Sequence, residues 1–273
     1  MKPRVGFYGQ VLLGCLYLEN VLCHPAEALL PHRSTKFPLL DTVDVKNPRA
    51  VQEACEKITS ETFVAFFSNE TLLSAVFEDE EDSLLAPILE GLLSNRLPSI
   101  PSSMIGKGEA DATSSLLSKN QGSLTYPGDP FQIEHGRLKG IFKDFSPPLI
   151  KTADTLRLGW CGFIAVSLDM HIAQKRRTDE YREPTWTYSG GSPLLRMNLA
   201  RRNVYWEYSH LLWATKWLQD YASEWGRMKT LPSCSIEMYL TNILPLVQDY
   251  LIFQGSLGLQ SGEGGMDLGI LVN

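Results

Sequence analysis

The stretch LLRMNLARRNVYWEYSHLLWATKWLQDYASEW, residues 194–225, contributes most to the prediction of the fold. At 100° per residue, its second part places two apolar sets of side chains on opposite sides of a helix. Such a helix is either enclosed in the protein interior, or buried on one side while its other side lines a cavity. The two sets are Val204, Tyr208, Leu211, Thr215, Leu218 and Ala222 on one side, and Trp206, His210, Trp213 and Trp217 on the other.

Helical spacing recurs along the chain. Asn47 and Pro48 form a helix start, because an asparagine side chain can cap free amide groups and proline suits the first helical position. We find no sustained two-residue alternation of the kind that marks a half-buried strand. We therefore predict an all-α or mainly α fold, a multi-helix globular bundle with one long irregular loop. The predicted helices cover residues 48–68, 84–95, 152–173, 200–225 and 235–253.

The chain divides at a segment with few large apolar residues. Residues 98–130 are rich in serine, glycine and proline, so we predict a flexible linker or a lid loop there. An N-terminal helical unit at residues 1–97 and a C-terminal helical unit at residues 131–273 flank this segment. We expect the two units to pack together as one domain.

Composition and spacing argue against several classes of protein. The formal net charge of −6 disfavours a nucleic-acid binder, because neutralising phosphates requires a basic surface. The five cysteines are scattered without a Cys-x-x-Cys pair, which indicates reduced, buried thiols. No stretch reaches the roughly 18–20 apolar residues of a membrane span, and we expect a cytoplasmic protein. Without a phosphate-binding loop or metal-ligand spacing of histidines, no cofactor and no metal is predicted.

Three tryptophans and a histidine share one side of the helix predicted within residues 194–225. Trp206, Trp213 and Trp217 can stack on a flat apolar ligand, while His210 offers it a polar group. On this interpretation that side of the helix is accessible to the ligand. The alternative is that all four residues belong to the core, with His210 hydrogen-bonded to a neighbour.

The helix predicted at residues 152–173 also mixes polar and apolar side chains. Gly159 and Gly162 would let another helix approach closely. Arg157 requires a carboxylate or an anionic ligand nearby, because burying an unpaired guanidinium is costly. Asp154, one turn earlier, is one candidate for that carboxylate.

A serine and a histidine lie one turn apart on the same helix. Ser167 and His171 can meet at this spacing, with Trp160 above them. Nucleophilic catalysis would need a third group to orient the histidine, and the sequence identifies none. The alternative is an amphipathic helix whose polar residues face water.

Part of the chain resembles a known family. The run Asn198-Leu199-Ala200-Arg201, together with residues 208–217 and 243–255, resembles a family of uncharacterised fungal helical proteins. Members of that family are often associated with secondary-metabolite gene clusters. The resemblance covers about a quarter of the chain. It implies a role near natural-product biosynthesis and carries over no catalytic residues.

We combine the two unusual helices with this resemblance in one functional prediction. The protein is predicted to be a cofactor-independent cyclase or isomerase, pericyclic reactions included, whose substrate is an apolar polyketide or terpenoid intermediate held in a helical pocket. Such a reaction mainly needs a folded substrate conformer and a hydrogen-bond donor at a carbonyl. The predicted catalytic residues are Arg157, His171 and His210, and the predicted substrate-binding residues are Trp160, Trp206, Tyr208, Trp213 and Trp217.

The alternative function is a non-catalytic helical module that binds a partner protein. It would use the same aromatic residues as core and expose an apolar groove instead. The two predictions differ in the surface that they require. An enclosed cavity of several hundred Å³ favours the small-molecule substrate, whereas an open patch favours the partner.

Overall fold

The structure of the protein is a computed structural model, and the residues that it describes lie in one compact unit. Of the segments discussed above, residues 98–129 of the predicted linker lie outside the described residues. No helix within the described part of the chain is long and apolar enough to cross a membrane. The described residues are 39–77, 84–97, 130–190, 195–202, 206–225, 228–241 and 249–260.

The described part of the chain contains six α-helices. Asn47 caps the first, because its Oδ1 atom accepts a hydrogen bond from the Arg49 amide at 3.1 Å, and this confirms the predicted start at Pro48. The helix predicted at residues 48–68 is in fact two helices, separated by residues 57–59. The helices are α1 (Pro48–Glu56), α2 (Ser60–Phe67), α3 (Glu70–Phe77), α4 (Leu85–Leu93), α5 (Thr152–Ile172) and α6 (Tyr208–Glu224).

Six strands form one sheet, in which every neighbouring pair is antiparallel. Their order across the sheet is β1-β2-β5-β6-β4-β3. Helix α5 connects β2 to β3, and α6 connects β4 to β5, so the pair β5–β6 lies between the two pairs that precede it in the chain. The strands are β1 (Phe131–His135), β2 (Leu138–Lys151), β3 (Thr185–Gly190), β4 (Leu195–Arg201), β5 (Thr230–Leu240) and β6 (Tyr250–Leu259).

The prediction of an all-α or mainly α fold is wrong, because this sheet accompanies the helices. The alternation typical of a strand is present in residues that we assigned to a helix. In β5, Cys234, Ile236 and Met238 are buried, and the polar residues Ser235 and Glu237 separate them. Apolar residues continue beyond the end of this strand, and they give residues 235–253 an apparent helical spacing.

Two other predicted segments also differ from the structure. The helix predicted at residues 200–225 begins only at Tyr208, because residues 200 and 201 belong to β4. The last part of the helix predicted at residues 235–253 lies in β6, which runs from Tyr250 to Leu259. The helices predicted at residues 84–95 and 152–173 are confirmed by α4 and α5 to within two residues at each end.

Helices α5 and α6 pack against each other at two glycines of α5. A methyl group added to Gly159 would lie 2.7 Å from Cγ of Gln219, and one added to Gly162 would lie 2.9 Å from Cγ2 of Thr215. Both distances are shorter than a van der Waals contact, so only glycine fits at these positions. The close approach of a second helix that we predicted at Gly159 and Gly162 is therefore confirmed.

The α5–α6 pair is buried from both sides. Toward the sheet, the ring of Tyr221 in α6 stacks on Phe142 of β2, with centroids 4.8 Å apart. Away from it, the ring of Trp160 in α5 stacks on Phe63 of α2 at 4.4 Å, and α1, α3 and α4 also contact the pair. Of the two interpretations of a helix with two apolar sides, the enclosed helix is the one that this structure contains.

Gly140 of β2 makes room for the largest side chain between the sheet and α6. Trp217 is 1% exposed, and its ring lies directly over this glycine. A methyl group at Gly140 would lie 2.5 Å from Cε3 of the ring and 2.8 Å from Cζ3. The indole is rigid and enclosed, so it cannot turn away.

We predict that Gly140→Ala lowers the free energy of unfolding by about 1–3 kcal/mol, because the added methyl group overpacks the contact with Trp217. Gly258 provides the matched control, since it is a strand glycine whose added methyl group would meet only Oγ of Ser233, at 3.8 Å. Urea denaturation of both variants measures the difference. Equal stabilities of the two variants would contradict the proposed packing.

Candidate functional site

The tryptophans predicted to line a substrate pocket are buried in the core. Trp206 is 0% exposed, Trp217 1% and Trp213 9%. The ring of Trp213 stacks on His135 of β1, with centroids 4.0 Å apart, and meets Phe77 of α3 at 4.5 Å. The prediction that this side of the helix is accessible to a ligand is therefore wrong, because strands of the sheet and α3 occupy the space that a ligand would need.

The other aromatic residues of the predicted site also make contacts typical of a core. Nε1 of Trp206 donates to the carbonyl oxygen of Glu183 at 3.2 Å. The hydroxyl of Tyr208 donates to Oδ2 of Asp169 at 3.1 Å, and burial, followed by the charge of Asp169, raises the pKa of this tyrosine. With Trp160 stacked on α2, the five predicted substrate-binding residues do not converge on a common space.

His210 has a structural role at the start of α6. Its Nδ1 atom accepts a hydrogen bond from the amide of Glu207 at 3.0 Å, which satisfies one of the free amides at the helix N-terminus. Burial lowers the pKa of His210 to about 4, although the charge of Glu207 opposes this effect. The imidazole is therefore neutral at pH 7, and the predicted alternative, a core histidine hydrogen-bonded to a neighbour, describes it.

His171 and Ser167 do not form the pair that their spacing allows. Nε2 of His171 lies 3.9 Å from Oδ1 of Asp41, near the surface. Ser167 is fully buried, and its hydroxyl has no hydrogen-bond partner among the described residues. His171 lies near Asp41, His210 caps α6 and Arg157 lies near Glu56, so the contacts described for these three residues do not join them in one site.

The two best-formed hollows among the described residues are small. Neither approaches the several hundred Å³ of an ordinary ligand pocket. Within the same residues, no group of three or more histidine, cysteine, aspartate or glutamate side chains is arranged to hold a metal ion. The larger hollow measures about 100 Å³ and is lined by Leu149, Ile150, Lys151, Asp154, Leu195 and Leu259.

Arg157 lines the smaller hollow, a cleft of about 10 Å³ between α1, α5 and β3. Its guanidinium Nη2 lies 3.9 Å from Oε1 of Glu56 in α1, and both side chains are about half exposed. The carboxylate that we expected for Arg157 is thus provided by another helix. Cys161 and Tyr188 line the same cleft, and sequence analysis selected neither residue.

Among the side chains described here, none from a helix contacts the second side of the sheet. We call it the outer face; its residues alternate along each strand with those that pack on α5 and α6. Their side-chain hydrogen bonds and ion pairs described here are with other residues of the sheet and its flanks. The outer face includes Lys139, Lys143, Arg196, Asn198, Ser235, Glu237, Tyr239, Gln254 and Ser256, with Arg202 beyond the end of β4.

A buried carboxylate lies at the centre of the outer face. Glu237 is 5% exposed; its Oε1 atom lies 2.9 Å from Nζ of Lys143, and its Oε2 atom accepts from the hydroxyl of Tyr239 at 2.9 Å. Burial, followed by this hydrogen bond, raises the pKa of Tyr239 to about 12. Beside it, Oε1 of Gln254 accepts from Nη2 of Arg202 at 2.9 Å.

The sequence contains a strand pattern that indicates the outer face, but we missed this pattern because we assigned the segment to a helix. Arg196 and Asn198 alternate with the buried residues Leu195, Met197 and Leu199 in β4. Strand periodicity, applied to this segment, would have placed the two polar residues together on one side of a sheet. The register that brings them next to Ser256 depends on pairing with a distant strand, and it cannot be inferred from local spacing.

We predict that the stability of the protein falls between pH 6.5 and pH 4 through His210. The pKa of this residue is lower in the folded state than in the unfolded chain, so the unfolded state binds the extra proton in this range and is favoured as the pH falls. The effect amounts to at most about 3 kcal/mol. Urea denaturation across this range should show that the free energy of unfolding of the wild type decreases as the pH falls, and that His210→Gln reduces this decrease. The same pH dependence in both proteins would contradict the assignment.

Comparison with known proteins gives no direct guide to function. No protein-family model matches this chain, and neither a curated protein nor a solved structure matches it. The resemblance to fungal helical proteins therefore remains an expectation from a few residues. The functional argument depends on the geometry of the chain itself.

Proposed function

We propose that this protein is a non-catalytic binding module that docks an acidic protein surface on the outer face of its sheet. The observation that carries the proposal is the distribution of charge. The chain as a whole has a formal net charge of −6, whereas the outer face carries more cations than anions. A partner with carboxylates on its surface would be attracted to this face and repelled by the rest of the protein.

The cations of the outer face are unequally neutralised. Lys143 pairs with Glu237, and Lys139 lies opposite Glu134 in the register of β1 and β2. Arg196, by contrast, lies in register with Gly258 and Ser189, which carry no charge. The positive potential is therefore concentrated on the β4 side of the outer face. The cations are Lys139, Lys143, Arg196 and Arg202. The anions are Glu134 and Glu237, with Asp249 close enough to Tyr239 to act on its hydroxyl.

The outer face also has the polarity of a protein interface and the size of a small one. Ser256 and Arg196 are exposed, and Asn198 is half-buried between them, so hydrogen-bonding groups lie beside the charges. Six strands about 4.8 Å apart and roughly six residues long span about 24 by 20 Å. A patch of this size, about 480 Å², is smaller than the ~800 Å² that one partner contributes to a standard interface, so the outer face fits the small interface of a weak or transient complex.

The other prediction, a cofactor-independent cyclase or isomerase, has less geometric support. Its substrate-binding residues, among them Trp206, Trp213 and Trp217, lie in the core. Its three candidate catalytic residues are separated, and His210 is occupied in capping α6. The outer face is open but polar, so it is not the apolar groove that we expected of such a module. Its charge is what supports the binding module, which we therefore prefer.

We predict that the wild-type protein binds a fluorescein-labelled polyglutamate peptide at low ionic strength, and that binding weakens as salt is added. Arg196→Glu combined with Arg202→Glu should weaken it at least about tenfold, because each reversal replaces attraction by repulsion at the contact. Fluorescence anisotropy measures the affinity. The melting temperature of each variant establishes that it is folded.

Lys46→Glu combined with Arg49→Glu is the matched control. It changes the net charge by the same amount on the exposed surface near the start of α1, and we expect it to alter the affinity less than twofold. An equal loss in both double variants, or no binding by the wild type, would contradict docking of an acidic partner on the outer face. A stabilisation of the protein by apolar metabolites, without binding of the peptide, would instead support the cyclase or isomerase.

A further inference from the structure

The two edges of the sheet differ in how well they are protected from pairing with another chain. At one edge, β1 carries the charged or ionisable residues Glu134 and His135. The part of β2 that extends beyond β1 contains Pro147 and Pro148, and its register with β5 shifts there. Charges, prolines and bulges of this kind prevent an edge strand from accepting a further strand.

The other edge has none of these features. Among the described residues, β3 is the last strand on this side of the sheet. Its sequence, TWTYSG, contains no charged residue and no proline. Threonine, tryptophan and tyrosine are residues that favour strands. The edge at β3 is therefore the one that can accept a further strand.

The backbone of β3 presents a regular set of hydrogen-bonding groups to its free side. The carbonyl oxygen of Pro184, just before the strand, accepts from the Arg201 amide of β4 at 2.9 Å. Because backbone groups alternate between the two sides of a strand, the even-numbered residues of β3 bond to β4. The amides and carbonyls of the odd-numbered residues point to the free side. These residues are Thr185, Thr187 and Ser189.

Two copies of β3 fit each other in one antiparallel register. Thr187 is exposed on the outer face, and Trp186 and Tyr188 are buried on the helix side. When like sides are kept together, Thr187 lies opposite Thr187 of the second copy, and Thr185 lies opposite Ser189. Every opposed pair on the outer face then exchanges both backbone hydrogen bonds. We propose that two copies of this protein pair through β3 and join their sheets into one.

The charges and side chains near this seam permit the pairing. Arg196 of β4 lies in register with Ser189, so in the proposed register its Cα atom is about 20 Å from that of Arg196 in the second copy. This separation exceeds the Debye length of about 8 Å at physiological ionic strength, and salt screens the repulsion. On the helix side Trp186 lies opposite Tyr188 of the second copy, and cross-strand aromatic pairs stabilise a sheet.

The pairing would also enlarge the docking surface. A two-fold axis perpendicular to the sheet places both outer faces on the same side, and together they cover about 960 Å². This area exceeds the ~800 Å² that one partner contributes to a standard interface, whereas a single outer face is smaller. A long acidic segment can then contact both faces at once. This consequence rests on the proposed docking function, whereas the pairing of β3 does not.

The oligomeric state of the full chain tests the pairing. We expect sedimentation equilibrium of the wild type to show a reversible dimer. Thr187→Pro removes the amide at the centre of the seam, and this amide takes no part in the ladder with β4, so the variant should remain folded. Its dimer dissociation constant should be at least about tenfold higher, because each copy loses a hydrogen bond. A monomeric wild type, or a folded Thr187→Pro variant that dimerises equally well, would overturn the proposal.

A charge swap tests the register with variants that keep the backbone amide. Thr187→Lys places two lysines opposite each other, and Thr187→Glu places two glutamates, so each should dimerise several-fold more weakly than the wild type. A mixture of the two should form a heterodimer. Thr42→Lys is the matched control that should dimerise normally, since each threonine hydroxyl donates one hydrogen bond of 2.8 Å, to Leu39 or to Asn198. Weakening that mixing does not reverse would contradict the register.

Polyglutamate peptides of two lengths separate the pairing from the docking function. The wild type should bind a peptide of about forty residues at least about tenfold more tightly than one of about ten. Thr187→Pro should keep its affinity for the short peptide and lose most of this gain; if the gain persists, the shared surface is wrong. A dimer that binds neither peptide contradicts the docking function and the shared surface but not the pairing. A monomer that binds both contradicts the pairing but not the docking function.

Discussion

The rest of the fold depends on the close approach of α5 to α6. Gly159 and Gly162 leave room for Gln219 and Thr215, and the two helices thereby form one unit with two apolar sides. The sheet covers one side, and α1 to α4 contact the other parts of the pair. A larger residue at either glycine would separate the two helices and misplace both of the layers that pack on them.

This arrangement explains why aromatic residues at helical spacing are core rather than pocket. Trp217 extends from α6 toward the sheet, where Gly140 leaves space for its ring. Trp160 extends from α5 in another direction, to Phe63 of α2. Because the helices are enclosed by two layers, both directions end in packed protein. Polar residues that can meet a partner are consequently found on the outer face of the sheet.

The sequence predicts part of this fold correctly because some signals are local. Helices α4 and α5 follow from apolar spacing, and α1 also follows from the cap at Asn47. The sheet is missed because its central strands pair with segments far away in the chain, as Lys143 does with Ser235. The candidate sites are missed for the same reason. Sequence analysis selected Arg157, but this residue contacts α1 only in the folded protein, and no local sequence pattern predicts that contact.

The most direct test of the central claim is native-state hydrogen exchange along α6. If α6 belongs to an enclosed middle layer, amides on every side of this helix should exchange slowly, at rates close to that of global unfolding. Residues 210–222 should then show no difference between the side of Trp213 and Trp217 and the side of Leu211 and Thr215. Rapid exchange confined to the tryptophan side would contradict the account, because it would reveal a solvent-filled pocket where we describe a packed core.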